Sequence, residues 1–187
     1  MKNRISLIFL LIISILSPSC VKTQLETTYN KQEEQIDKYI QSKMVVQNPE
    51  GGTDTLRVVR NGGANRLVLK EGTGEALTSN GHVSLYYAGY TFSGSLSPTS
   101  LFGTNVTSIA EEAGWKPENV QDALYEADLS DDEFIEGLRK GLEGVKVGEE
   151  CEILFSAKYG MGNRSLGIIP AKSALAYRIW VIEVTND

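Results

Sequence analysis

The segment from Phe134 to Val184 constrains this chain more than any other. It begins Phe134-Ile135-Glu136-Gly137-Leu138 and runs through Gly141-Leu142-Glu143-Gly144-Val145-Lys146-Val147-Gly148. It then passes Ile153-Leu154-Phe155, Lys158-Tyr159-Gly160-Met161-Gly162 and Gly167-Ile168-Ile169-Pro170. It closes on Leu175 to Val184, a strand by its period of two. There Leu175, Tyr177, Ile179 and Val181 point one way. Ala176, Trp180 and Ile182 point the other, interrupted by Arg178. An antiparallel strand with one wet face alternates apolar with polar side chains. Both faces of this strand are apolar, so something covers the second face. An N-terminal helix or a hairpin at 55–70 is the candidate cover.

Length and charge set the outer bounds. The 187 residues suit one domain with extensions. The net charge is −6 and no basic block exists, which argues against nucleic acid as a partner. One histidine, His82, and two cysteines cannot build a zinc site, and no other metal or cofactor is expected.

The first residues read as a targeting segment. Lys2 and Arg4 form a positive start, and Ile5 to Leu16 an apolar run too short to span a bilayer comfortably. Leu16-Ser17-Pro18-Ser19-Cys20 follows, with a small residue directly before a cysteine. This resembles a bacterial lipoprotein signal, despite Pro18. The resemblance implies a signal peptide over 1–19, lipid including palmitate on Cys20, and a tether with a helix over 20–53. It also implies a place in the bacterial cell envelope, outside the cytoplasm, with several acyl chains holding the protein to a membrane. The plainer alternative is a secretory peptide with an incidental Cys20. If Cys20 carries lipid, Cys151 has no partner within the chain. Residues 151, 153 and 155 share one strand face, so Cys151 reads as a small core hydrophobe.

Leu25, Tyr29, Ile36, Ile40 and Met44 recur at helical spacing, with a miss at Glu33. The helix either docks on the domain as a tether or pairs with a second copy. Pro49-Glu50-Gly51-Gly52 ends it. Residues 55–60 and 65–70 read as strands joined by a turn at Asn61-Gly62-Gly63. Another strand runs from His82 to Phe92, with Val83, Leu85 and Tyr87 on one face. Val120, Ala123, Leu124 and Ala127 have helical spacing, and Pro117 suits the first turn of that helix. Ser130-Asp131-Asp132-Glu133 reads as a capping box starting a further helix at Asp131.

The order of these pieces resembles an FKBP-type peptidyl-prolyl cis-trans isomerase domain. The resemblance implies an α+β fold over 54–187. A twisted antiparallel sheet of about five strands wraps on a short helix, with the N-terminal helix added. It also makes 104–130 an insertion, about a dozen residues beyond the family pattern. Tyr87 in Tyr86-Tyr87-Ala88-Gly89 matches the family's pocket tyrosine, and Phe102 in Phe102-Gly103-Thr104 its pocket phenylalanine. Phe134 and Ile135 match a Val-Ile pair whose isoleucine N–H bonds a ligand carbonyl. Ile168 and Ile169 match the pair in Gly-Ile-Ile-Pro, and Tyr177 a phenylalanine on the last strand. Gly103 stands where the family has an aspartate, Leu138 where it has the floor tryptophan, and Met161 where it has a tyrosine. The wall phenylalanine has no clear counterpart in the insertion. The family pattern also keeps 133–135 extended and starts the helix near Glu136, against the capping box.

The implied catalytic residues are Tyr87, Phe102, Ile135, Ile169 and Tyr177, with Phe134, Leu138, Met161 and Ile168 holding substrate. The substrates would be proline-containing segments of exported polypeptides. Rotation about an X-Pro bond breaks amide resonance, and the barrier is about 18–20 kcal/mol. A twisted amide has less charge separation than a planar one, so a dry apolar cleft favours it. A second reading is a binding module with the same fold and no catalysis. A third is an envelope lipoprotein that assembles through its N-terminal helix.

Overall fold

The computed structural model describes residues 18–116, 118, 120–132 and 134–186, with side chains from residue 22 onward. The apolar leader, the Cys20 side chain, Pro117 and Glu133 lie outside the described residues. The elements in chain order are α1 (Pro18–Lys43), β1 (Val45–Gln47), β2 (Thr53–Thr55), β3 (Val58–Asn61), β4 (Ala64–Lys70), β5 (His82–Phe92) and β6 (Leu101–Thr104). They continue with α2 (Thr107–Glu112), β7 (Tyr125–Asp128), α3 (Glu136–Leu142), β8 (Glu150–Phe155) and β9 (Ala174–Thr185). No described helix is long and apolar enough to cross a membrane.

Strands β3 to β9 form one antiparallel sheet, ordered β3-β4-β8-β9-β5-β6, and β7 also pairs with β5. The expected α+β architecture with an N-terminal helix is present. The sheet has seven strands rather than about five. The hairpin through Gly62 and Gly63 brings in β3, and both glycines have positive φ, as a two-residue hairpin turn requires. The other strand, β7, lies within residues 104–130 and pairs with β5.

Residues 120–127 do not form the helix their spacing suggests. Ala127 lies opposite Val83 and is buried, because β5 offers an open edge at residues 82–85 that β7 fills. Tertiary pairing overrides a weak helical preference there. A helix does form nearby, but earlier in the chain, as α2. Ser130 does not start a helix either, since its amide and hydroxyl both donate to Asp128 Oδ1, at 2.8 and 2.6 Å. The helix begins at Glu136, with Ile135 extended before it.

One face of the sheet packs on α3. Gly137 and Gly141 let that helix sit close: a Cβ at Gly137 would lie 2.3 Å from Phe155 Cγ, and one at Gly141 2.2 Å from Ile153 Cγ2. Arg66, buried, donates to the Gly141 and Glu143 carbonyls at 2.7 and 2.8 Å, satisfying the end of α3. Cys151 sits in this core with Ile153 and Phe155, and burial raises its thiol pKa.

The other face packs on α1. Ile36, Tyr39 and Ile40 bury against Leu67, Phe92, Leu154, Ala174 and Ala176. Ile36, Ile40 and Met44 of the apolar stripe therefore pack on the chain's own sheet. The miss at Glu33 is a polar contact: the Ser156 hydroxyl donates to Glu33 Oε1 at 3.1 Å. Tyr39 Oη donates to Glu152 Oε2 at 2.8 Å, and Arg178 Nη1 donates to Glu152 Oε1 at 3.2 Å. This explains the charged residue in the middle of β9. The cover stops short of Ile182, which stays 44% exposed.

Candidate active site

A cleft of about 440 Å³ opens between α3, the β5–β9 part of the sheet and the long loop from β8 to β9. All nine candidate residues, Tyr87, Phe102, Phe134, Ile135, Leu138, Met161, Ile168, Ile169 and Tyr177, line it. So do Leu85, Gly103, Tyr125, Leu142, Leu166, Gly167 and Ile179. Among the described residues no lining side chain is charged, and no cluster of His, Cys, Asp or Glu could hold a metal.

Tyr177 is the hub of the aromatic wall. Its ring meets Phe102 edge-on at 5.6 Å, stacks on Phe155 at 6.0 Å and lies 6.5 Å from Tyr87. Phe102 reaches it because β5 has no side chain at Gly89, where a Cβ would lie 2.6 Å from the Phe102 ring. Tyr87 in turn meets Tyr125 edge-on at 5.6 Å. These geometries match the ring quadrupoles and lock the rotamers. Burial raises the pKa of the Tyr87 and Tyr177 phenols, and neighbouring phenols add to it. Both hydroxyls therefore stay neutral, and the wall is an apolar surface with two weak donors.

Tyr125 is hidden in the sequence because residues 120–127 carry the spacing of a helix. It supplies an aromatic wall from within residues 104–130, where the family phenylalanine has no evident counterpart. The alternation of Tyr125-Glu126-Ala127-Asp128 was the available signal.

Asn105 was also missed, and it explains how Tyr87 and Tyr125 come together. Both β6 and β7 pair with the same edge of β5, β6 at residues 88–90 and β7 at residues 82–85. The Asn105 side chain fills the gap between them. Its Oδ1 accepts from the Tyr87 amide at 2.7 Å, and its Nδ2 donates to the Leu85 and Ala123 carbonyls at 3.1 and 2.7 Å. One amide thus replaces a missing piece of strand. A lone asparagine after a strand carries no sequence signal for that role.

On the opposite side, Phe134 and Ile135 precede α3. Among the described residues the Ile135 amide has no hydrogen-bond acceptor, while the Phe134 amide donates to the Asp131 carbonyl. An amide left free beside a dry cleft is a donor for a ligand carbonyl. Leu138 and Leu142 form the floor. The mouth is closed by the β8–β9 loop, in which Leu166 and Ile169 exchange two backbone hydrogen bonds around Gly167, at φ +55°. That tight turn holds Ile169 buried and presents Ile168, 69% exposed, at the rim. Gly103 leaves a gap: a Cβ there would be no nearer than 3.7 Å to Tyr87.

Among proteins of known sequence, the chain is similar to FK506-binding protein 1 of Aspergillus oryzae, at 23% identity over 122 residues. The match covers 65% of this chain and 98% of that protein. Among solved structures, it is similar to a peptidyl-prolyl cis-trans isomerase of Pseudomonas syringae, at 17% identity and a TM-score of 0.56, covering 86% of this chain and 96% of that one. It is also similar to FkpA of Escherichia coli, at 19% identity and a TM-score of 0.51. That match covers 89% of this chain but only 65% of the FkpA chain. These likenesses share the fold just described, and residues 76–182 match the FKBP-type peptidyl-prolyl cis-trans isomerase family as a whole. The chain therefore belongs to the FKBP-type peptidyl-prolyl cis-trans isomerase family.

Proposed function

We propose that this protein catalyses cis–trans isomerisation of X-Pro bonds in exported polypeptides, at a bacterial membrane to which Cys20 anchors it. The observation that carries the reading is the aromatic cleft, uncharged among the described residues, with the Ile135 amide at its edge lacking an acceptor among those residues. The prolyl ring enters between Tyr87, Phe102, Ile169 and Tyr177. The Ile135 N–H bonds a carbonyl next to the rotating amide and fixes it. Inside the cleft the amide loses its water, which penalises the charge-separated planar form more than the twisted one. No proton moves and no covalent bond forms.

The test is cis-to-trans conversion of a short X-Pro peptide by the chain from Val21 onward. Acceleration is expected, with a rate that stays flat from about pH 6 to about pH 9, because among the described residues the titratable groups lining the cleft are phenols, and burial moves those of Tyr87 and Tyr177 upward. Absence of acceleration by folded protein removes the reading. A sigmoidal pH profile in that range would place an ionising group in the mechanism and contradict it.

The anchor rests on the apolar leader and the small residue before Cys20. Cells fed labelled palmitate are expected to label the protein, and Cys20→Ser to abolish the label. Equal labelling of the variant would remove the lipid and, with it, the membrane assignment.

A binding module without catalysis is the second reading, favoured by Gly103, Leu138 and Met161. Each leaves the cleft less polar or less filled than the family pattern. Proline-dependent peptide binding with no acceleration would establish it.

A further inference from the structure

Gln32 stands where an apolar residue belongs. On α1 it lies between Tyr29 and Ile36 at spacings of three and four, on the face that docks against the sheet. Docking alone would be served by a leucine. Both ends of the Gln32 amide are instead used on one loop. Its Oε1 accepts from the Ala157 amide at 2.9 Å, and its Nε2 donates to the Lys172 carbonyl at 2.7 Å. These two residues are the neck of the β8–β9 loop that carries Met161, Leu166, Ile168 and Ile169 over the cleft.

The neck has other ties within the loop. The Gly162 amide donates to the Ala157 carbonyl at 2.8 Å, and the Lys172 amide to the Gly162 carbonyl at 2.8 Å. Lys172 is held at φ +61°, a left-handed conformation that side chains with a Cβ avoid. Towards the tip, Leu166 and Ile168 are 57% and 69% exposed, so these two residues gain little from burial. The loop therefore takes its position from the neck together with Ile169, its one buried residue near the tip.

We propose that Gln32 is a positioning residue for the cleft, bridging Ala157 and Lys172 so that the β8–β9 loop stands formed before substrate arrives. The N-terminal helix is then part of the substrate site without touching substrate. A preformed loop spares the peptide the cost of ordering it, so the effect falls on binding more than on the bound-state rate. The proposal rests on the isomerase reading.

The test uses the full chain in detergent with Gln32→Leu, which keeps the helix stripe apolar and removes both bonds. The KM for an X-Pro peptide is expected to rise about fivefold, the low end for two lost hydrogen bonds, with kcat within about twofold of the parent. Hydrogen exchange at the Gly162, Leu166, Ile169 and Lys172 amides is expected to quicken about tenfold, while exchange in β5 and β9 does not change. Gln32→Glu keeps the acceptor for Ala157 and loses the donor for Lys172, so its KM falls between the two. Unchanged KM, or loop exchange equal to the parent, overturns the proposal. So does quickened exchange across the whole sheet, which would make Gln32 a docking residue only. A parent chain with no isomerase activity sinks the isomerase reading, and loop exchange then decides whether Gln32 holds the neck.

Discussion

Tyr87→Ala is expected to lower kcat/KM for an X-Pro peptide by about ten- to a hundredfold while the domain stays folded. The residue is half-buried in the cleft wall, with its ring held edge-on by Tyr125 and near Tyr177. Loss of an aromatic face from the site removes about 1.5–3 kcal/mol of apolar contact with a bound prolyl ring. Each 1.4 kcal/mol or so is about tenfold in rate when the contact is made in the transition state. The strand itself is spared, because β5 pairs with β9 along its whole length and Asn105 still takes the Tyr87 amide. Ile169→Ala acts from the opposite wall and is expected to cost about as much. Kinetics and a denaturation curve on both variants decide the matter. Full activity in both, with normal folding, would show that the peptide does not use this cleft.

Gly137→Ala carries the second large effect, on stability. Alanine inside a helix is ordinarily a gain of about 1 kcal/mol over glycine. Here the new methyl would start 2.3 Å from Phe155 Cγ and 2.5 Å from Cδ2, near the root of a ring that is fully buried. The ring cannot swing away, because it stacks on Tyr177. Overpacking of this kind costs about 1–3 kcal/mol and sometimes more. The upper end applies where the obstacle is rigid, so a net loss of about 2 kcal/mol is expected. A denaturant midpoint equal to or above that of the parent would mean that α3 lies farther from the sheet than described. The same displacement would move Tyr177, so activity is expected to fall along with stability.

The fold was legible because its signals were local and repeated. The two-residue period of β9, the glycine pair at the β3–β4 turn and the glycines of α3 each restrict the backbone without reference to distant contacts. The cleft residues were legible only as a set, since Tyr87 or Ile169 alone reads as core. What sequence could not carry was pairing decided elsewhere in the chain. Residues 120–127 have helical spacing and become strand because β5 leaves an edge free. Gln32 and Tyr39 complete the docking face of α1, yet the apolar spacing pointed past them to residues 36, 40 and 44. Asn105 acts through three partners spread over residues 85–123, and nothing next to it in sequence announces them.

The chain leaves the sheet after β6 and returns to it at β7 within the reach of one side chain. Asn105 joins the outgoing chain to the Ala123 carbonyl, and the Thr107 amide donates to Asp122 Oδ1 at 2.8 Å just inside that joint. Tyr125, which forms the wall of the cleft, lies on the sheet side of it. Because the entropy of closing a loop grows only slowly with its length, a change in the number of exposed residues between Thr107 and Asp122 costs little while that joint holds and Ala110 stays buried. The outer reach of the chain is thereby uncoupled from the aromatic wall that Tyr87 and Tyr125 form.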